Sequence, residues 1–420
     1  MQYLGYLDKL ACGQRGLEPG GDVMMRPNRW RWVAVASVVL ALAAFGCDKG
    51  GGEGGQTGGK AEGGGDKPAA GAIKIGAVLP LSGQTATYGE ESLAGIKLAL
   101  EELKEQDGPK LELVFKDNKG DSTETAKLVS QLIKIDKVKA VLGSVASTNT
   151  LKGAKVAQEA GVPLMTPAST NVDITKKGEY VSRICFIDPV QGSVLAKLVL
   201  EDLKKKKAAI IVDKASDYSV GLAKAFRETF TKGGGEIVGE ESFTAGEADF
   251  SALITKVTEL SPDVLFVPAY YGDVGPMLKQ AGDRWKEIPV VAGDGIDSPD
   301  LYKLMGSYTG DIYMSTHFAA DDNDPKVQAF VKKYKGRYSK VPGAMAALGY
   351  DATMALHDSL KRAGSSDPAK LKDAINGISK LNGITGTITL NADRNAEKDV
   401  VILKVSPAGA KFFKRIPSGS

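Results

Sequence analysis

The residues of this 420-residue chain that could do chemistry gather in six short stretches: 82–88, 147–150, 168–170, 213–218, 270–273 and 294–297. In each, an apolar run gives way to polar or small side chains. "PLMTPAST" is the clearest case, its tip of Ala168, Ser169 and Thr170 carrying hydroxyls on nearly bare backbone. Hydroxyls, tyrosines, small residues and carboxylates dominate the six stretches, and Lys214 is the one base among them. Such a set suits recognition of something small that carries both signs of charge. It does not suit catalysis, because there is no GxSxG elbow, no GxxxxGK[ST] loop and no histidine cluster, His317 and His357 being the only two. Cys12, Cys47 and Cys185 show no CxxC spacing, so a His/Cys metal cage lacks donors and no cofactor is expected.

What must position these residues is an alternation of strand and helix signals. From Ile73 the chain reads "IKIGAVLPL" then "SLAGIKLALEELKE", "LELVFKD" then "TAKLVSQLIKI", "KAVLGSV" then "TNTLKGAKVAQEAG", then "VPLMTP". Leu93, Ile96, Leu100 and Leu103 recur at helical spacing. This βαβ grammar predicts a parallel sheet with helices on both faces. It restarts after Gly192 with "AAIIVD", "VGLAKAFRETF", "EIVGEESF", "FSALITKVTEL", "DVLFVPAYY" and "PVVAGDGI", which predicts a second α/β half. From about Gly310 come "IYMSTHF", helical stretches around 327–338 and 346–362, and the hairpin-like "GTITLNADRNAEKDVVILKV". Within it "NADRNAEKD" lacks the spacing of an EF-hand and reads as a hairpin turn. Ligands of open parallel sheets bind beyond the carboxyl ends of the strands, and the six polar stretches are strand exits.

Length and a hydrophobic content of 43% favour two domains. Charge excludes one class of partner: 54 Lys+Arg against 51 Asp+Glu, spread along the chain, offers nucleic acid no basic stripe. The N-terminus reads as an address. Arg26, Arg29 and Arg31 precede an apolar run of about 14 residues, 32–45, shorter than the ~20 of a membrane-spanning helix. This is a secretory signal within residues 1–46, with Met24 or Met25 as its start. Its "AAFGC" end is similar to a bacterial lipobox and implies an acylated Cys47, hence an exported chain on the periplasmic or cell-surface face, held to a membrane by lipid. Residues 47–72 are Gly-rich and form a flexible tether of roughly 25–30 Å root-mean-square span. With Cys47 acylated, Cys185 has no partner for a disulfide.

From about Ile73 to Ile416 the chain resembles the leucine/isoleucine/valine-binding proteins, the type I periplasmic solute-binding proteins of branched-chain amino acid ABC transporters. The resemblance rests on an ordered series: "IKIGAVLPLSGQTATYGEESLAGIKLALEEL", "GSVASTNTL", "AGVPLMTPASTN", "DYSVGLAKAF", "TAGEADFSALITKV", "GPMLKQAG" and "GDG". It implies an α/β fold of two doubly wound parallel-sheet lobes joined by three crossings, with 73–187 plus 317–390 as the first lobe and 188–316 plus 391–420 as the second. It further implies a monomer that takes an amino-acid ligand in the cleft and delivers it to an ABC transporter permease.

The resemblance also implies roles, residue by residue. Ser147 would offer hydroxyl and amide to a ligand carboxylate, Ala168 its carbonyl to the ammonium, and Thr170 amide and hydroxyl to either group, with Ser169 in the same tip. Tyr218 and Tyr270 would supply aromatic contacts from the second lobe, Asp294 a carboxylate, and Tyr88 a cover over the ligand side chain. A helix start satisfies a carboxylate without a lysine, and an ammonium against a carboxylate and a bare carbonyl makes charge-assisted bonds. Two cysteines that many relatives carry near the cleft correspond to Gly120 and Ala146 here, so that staple is absent. Each residue has a plainer reading: Ser147, Ser169 and Thr170 suit helix caps, the tyrosines suit interlobe packing, and Asp294 suits a turn between Gly293 and Gly295. A sensor of the same fold is the alternative function for an amino acid or small amide.

Overall fold

The computed structural model describes residues 71–417. The signal region, Cys47 and the tether before Gly71 lie outside the described residues. Among those described, no helix is long and apolar enough to cross a membrane.

The first sheet is parallel throughout, in the order β2-β1-β3-β4-β5. It comprises β1 (Ile73–Leu79), β2 (Leu111–Asp117), β3 (Val141–Gly143), β4 (Leu164–Thr166) and β5 (Val181–Arg183). Helices α1 (Ala86–Leu103), α2 (Ser122–Lys134) and α3 (Ser147–Glu159) connect its first four strands. The helical stripe expected on α1 is inward: Leu93, Ile96 and Leu103 are buried and Leu100 is partly so. Each such side chain contributes roughly 1.5–3 kcal/mol on burial. The start of α2 is fixed by Asp121, whose carboxylate accepts from the Glu124 N–H at 2.6 Å. No side chain caps α3 in that way.

After β5 the chain crosses to the second lobe through α4 (Asp188–Lys197), which the sequence reading left unassigned. Its buried residues Gln191, Gly192, Val194, Leu195 and Ala196 surround the helix instead of forming a stripe, so no helical period shows. There follow β6 (Lys207–Asp213), α5 (Asp217–Lys232), β7 (Glu236–Phe243), α6 (Ser251–Glu259), β8 (Val264–Phe266), α7 (Tyr271–Ala281), β9 (Val290–Ala292), α8 (Asp300–Leu304) and β10 (Ile312–Thr316). A second crossing leads back to α9 (Pro325–Tyr338), α10 (Ala344–Ala363) and the short α11 (Pro368–Asn376). The small sheet of β11 (Leu381–Gly383), β12 (Gly386–Leu390) and β13 (Ala396–Glu397) comes next. The third crossing delivers β14 (Val400–Ser406), antiparallel to β10, and β15 (Gly409–Ile416) to the second sheet. That sheet has the order β15-β14-β10-β9-β8-β6-β7.

α10 returns to pack on α1, which attaches the late helices to the first lobe. The approach is backbone-close: a Cβ on Gly95 would lie 1.9 Å from the Ala346 carbonyl oxygen. Only glycine permits it.

Candidate functional site

The strand exits of the two lobes face one another across a small cavity. Tyr88, Ser147, Ala168, Thr170, Tyr218, Tyr270 and Asp294 line it, joined by Val145, Gly295 and Met345.

One wall belongs to the first lobe. β3 ends in a tight exit and α3 begins at Ser147, with Ala146 at the N-cap in extended conformation and offering no side-chain cap, while the Tyr270 hydroxyl of the other wall meets the Ser147 backbone N–H. The first-turn N–H groups of α3 thus form a positive end at the cavity. Ser147 is buried, and its Oγ accepts from the Asn171 N–H at 3.3 Å. The tip of "TPAST" is held from behind. Thr166 Oγ1 donates to the Ser144 carbonyl at 2.7 Å and accepts from the Ser169 N–H at 3.0 Å. The buried Arg183 guanidinium donates to the carbonyls of Ser169 and Asn171, both at 2.7 Å, and the Asp188 N–H donates to the Thr170 carbonyl at 3.0 Å. The Ala168 carbonyl is left out of this network, and the buried Thr170 Oγ1 has the Asp188 carboxyl as its one polar neighbour, without a well-formed hydrogen bond to it.

Ser169 is a correction. Expected in the site, it lies behind the wall. Its hydroxyl is 2.6 Å from Thr150 Oγ1 and donates to the Val145 carbonyl at 2.6 Å, so it braces the two strand exits against each other. Alternation along an extended segment turns it away from its neighbours Ala168 and Thr170.

The second wall starts at α5. Ser216 caps that helix, and the next turn places Tyr218 so that its hydroxyl accepts from the Gly295 N–H at 2.9 Å. The Tyr218 and Tyr270 rings stack with centroids 5.1 Å apart. Gly295 has no room for a side chain, since a Cβ would come within 2.7 Å of the Ala269 carbonyl oxygen and 2.8 Å of the Tyr218 ring. Asp294 follows β9 and is buried, with Oδ2 3.2 Å from His317 Nε2 and Oδ1 lacking any partner. Tyr88 on α1 reaches over from the first lobe and donates to the Gly295 carbonyl.

Burial shapes the ionisation here. It pushes the Asp188 carboxyl up to about 7 and Asp297 up to about 6. It also holds the Tyr88 and Tyr218 hydroxyls protonated far above their ordinary value, with Asp294 adding to the effect. Tyr270 is raised by burial and then by Asp294, against a hydrogen bond from the Ser147 backbone. Burial lowers His317 below the usual imidazole range, which keeps the ring neutral beside Asp294. The cavity therefore has a positive helix end on one wall, a carboxylate with a free oxygen on the other, and apolar or aromatic surface between.

Contacts also cross the cleft beside the cavity. Asn171 Nδ2 donates to the Asp217 carbonyl at 2.7 Å, and the Asp217 N–H donates to Thr148 Oγ1 at 3.0 Å. On the other flank the Thr87 hydroxyl donates to the Asp300 carboxylate. The lobes are closed on one another in this structure.

Val145, Met345 and His317 lie outside the six stretches that the sequence singles out, and Gly295 lies inside one without a role assigned to it. Val145 and Gly295 adjoin expected residues and were reachable from them. Met345 arrives on α10 from another part of the chain and gave no local signal. His317 stands at the exit of "IYMSTHF", a strand end left out of the six.

A family model described as periplasmic binding protein matches residues 72–410. The chain belongs to the periplasmic binding protein family. This match, together with the curated and structural relatives that follow, shows the resemblance to leucine/isoleucine/valine-binding proteins and the two-lobed type I periplasmic binding protein fold. Among curated proteins, this family member is 30% identical over 324 residues to Leu/Ile/Val-binding protein homolog 3 of Brucella melitensis biotype 1, a match covering 76% of this chain and 86% of that protein. Among solved structures it is similar to a leucine binding protein of Thermotoga maritima MSB8, with a TM-score of 0.79 and 35% identity, over 82% of this chain and 99% of that one. It is also similar to a branched-chain amino acid transporter substrate binding protein of Streptococcus pneumoniae solved with isoleucine, with a TM-score of 0.77 and 32% identity, again over 82% and 99%. This periplasmic binding protein thus has relatives named for binding leucine, isoleucine or valine, and one named as a branched-chain amino acid transporter substrate binding protein.

Proposed function

We propose that the protein is an extracytoplasmic, lipid-anchored solute-binding protein that captures an apolar α-amino acid in the interlobe cleft and delivers it to an ABC transporter. One observation carries this reading: the uncapped start of α3 at Ser147 and the free Oδ1 of Asp294 stand on opposite walls of one small cavity. The ligand carboxylate is received by the Ser147 and Thr170 hydroxyls and helix-start N–H groups. The ammonium is received by Asp294 and the Ala168 carbonyl. Val145, Met345 and the rings of Tyr88, Tyr218 and Tyr270 take the side chain, which favours a branched aliphatic one. Retention at a membrane is assigned to Cys47. The names of the relatives and the bound isoleucine of one of them support the ligand class.

A thermal-shift screen of the purified protein against the twenty amino acids tests the reading. A true ligand at 100 times its dissociation constant stabilises by roughly 2.7 kcal/mol through mass action. Leucine, isoleucine or valine should shift the melting point, and a screen without any amino-acid hit would reject the reading.

A further inference from the structure

His317 belongs to none of the expected site residues, yet it makes the only protein hydrogen bond to the Asp294 carboxylate among the described residues: Nε2 lies 3.2 Å from Oδ2. The ring is clamped. It is buried, stacks on Phe186 with centroids 3.7 Å apart, and leaves Nδ1 without a partner. His317 immediately follows β10 and Phe186 follows β5, so two of the three lobe crossings meet at this stack. A neutral imidazole whose Nδ1 has nothing to donate to carries its proton on Nε2 and donates it to Asp294. That bond occupies Oδ2 and leaves Oδ1, the oxygen without a protein partner, for a ligand.

We infer that His317 is a positioning residue for the ammonium-binding carboxylate: by holding Oδ2 of Asp294 it makes the cleft's preference for an α-ammonium depend on the imidazole. The inference rests on the amino-acid reading above. Asp294 has one methylene less than glutamate and a backbone fixed in the turn that opens at Gly293, so it has few rotamers and one anchored oxygen decides where the other lies. Without the Nε2–H bond the carboxylate can rotate toward other buried donors, and an ammonium then loses its partner. A ligand with a carboxylate alone makes no bond to Asp294 and leaves it unmatched whether or not the imidazole holds it, so its weak binding changes little.

Protonation of the ring works against the ligand. An imidazolium beside Asp294 neutralises the carboxylate and competes with an incoming ammonium. The groups facing this pair are Lys398, which disfavours a charged ring, Asp188, Asp297 and the Cys185 thiol, which face Asp294, and the hydroxyls of Tyr88, Tyr218 and Tyr270. Amino-acid affinity should therefore fall as pH drops below the ordinary imidazole range of about 6.5. Removal of the ring should delete the part of that fall due to His317 and keep the part due to the carboxyls.

The test compares wild type, His317→Leu and His317→Gln by calorimetry with leucine and with 4-methylpentanoate, its analogue lacking the ammonium. His317→Leu should weaken leucine about 10–100-fold, as expected for loss of a hydrogen bond that orients a charged group, and leave 4-methylpentanoate within about 2-fold. His317→Gln, whose amide N–H can reach Asp294, should keep the leucine preference within about 3-fold of wild type and flatten the acid limb of the pH profile. Equal weakening of both ligands by His317→Leu would reduce the ring to packing and overturn the inference. An acid limb in His317→Gln identical to wild type would also overturn it, and this arm holds even where His317→Leu fails to fold. A wild-type protein that binds no amino acid would instead overturn the functional reading on which the inference rests.

Discussion

Asn171, on the first lobe, donates through Nδ2 to the backbone carbonyl of Asp217, at the start of α5 on the second, over 2.7 Å. With Thr148 accepting from the amide of the same residue, both polar backbone groups of Asp217 are held by the opposite lobe. These contacts exist only when the cleft is closed. A ligand that touches both walls gains its full set of bonds in the same state, and that difference in affinity is what shifts the population toward closure.

Asn171→Ala removes one strut of the closed form and no residue of the cavity wall. A hydrogen bond of this kind contributes about 0.5–1.5 kcal/mol, so leucine should bind about 2–12-fold more weakly. Small-angle scattering without ligand should show a larger radius of gyration than wild type, and saturating leucine should restore the compact value. A variant with unchanged affinity and unchanged scattering would remove the strut from the account.

Asp294→Ala takes away the carboxylate proposed for the ammonium. Leucine binding should weaken by roughly 2–5 kcal/mol, the usual cost when one partner of a buried charged pair is deleted. Calorimetry on folded variant protein is the check. Near wild-type affinity would make Asp294 a turn residue flanked by Gly293 and Gly295.

How much of this was legible in the sequence follows from how locally each feature is encoded. The alternating sheets were legible because strand cores and helix stripes repeat over short windows, as at Leu93, Ile96 and Leu103. The cavity residues were legible where a strand exit carries its own chemistry, as at Ser147, Ala168, Tyr218 and Asp294. α4 was not, because a helix buried around its circumference has no stripe to read. Met345 and His317 were not, because their roles depend on which distant segments the topology brings beside them. Ser169 was misplaced for a subtler reason: its type suits a binding site, but the direction of its side chain is set by Thr150 and the Val145 carbonyl.

Stability should fall with rising pH. Glu91 on α1 is pushed up to about 8, first by burial and then by Asp297, with Lys340 opposing. Its folded-state value lies above the ordinary carboxyl value of about 4.3, so the native state holds a proton that the unfolded chain has released. The stabilisation is complete below about pH 4.3 and is lost as pH rises through 8, at a slope of up to about 1.4 kcal/mol per pH unit. Asp188 and Asp297 act in the same sense between about 4 and their values of about 7 and about 6. Glu91→Gln should melt with a visibly flatter dependence between pH 5 and about 8. Denaturation curves across that window that superimpose on wild type would contradict the assignment.

Anchoring has its own test. Lipid chains on Cys47, at ~0.8 kcal/mol per buried CH₂, are the only membrane hold proposed. Cys47→Ser should move the exported protein from the membrane to the soluble fraction. Retention of the variant at the membrane would reject lipid anchoring through that residue.

The central claim is that the cleft reads both charges of an amino acid at once. Calorimetry of wild-type protein with leucine, 4-methylpentanoate and 3-methylbutylamine measures this directly. The last two keep the aliphatic chain and one charged group each. Leucine should bind, and each analogue should bind at least about 100-fold more weakly, the loss expected when a desolvated charged partner on one wall is left unmatched. Either analogue binding within a few-fold of leucine would contradict the account.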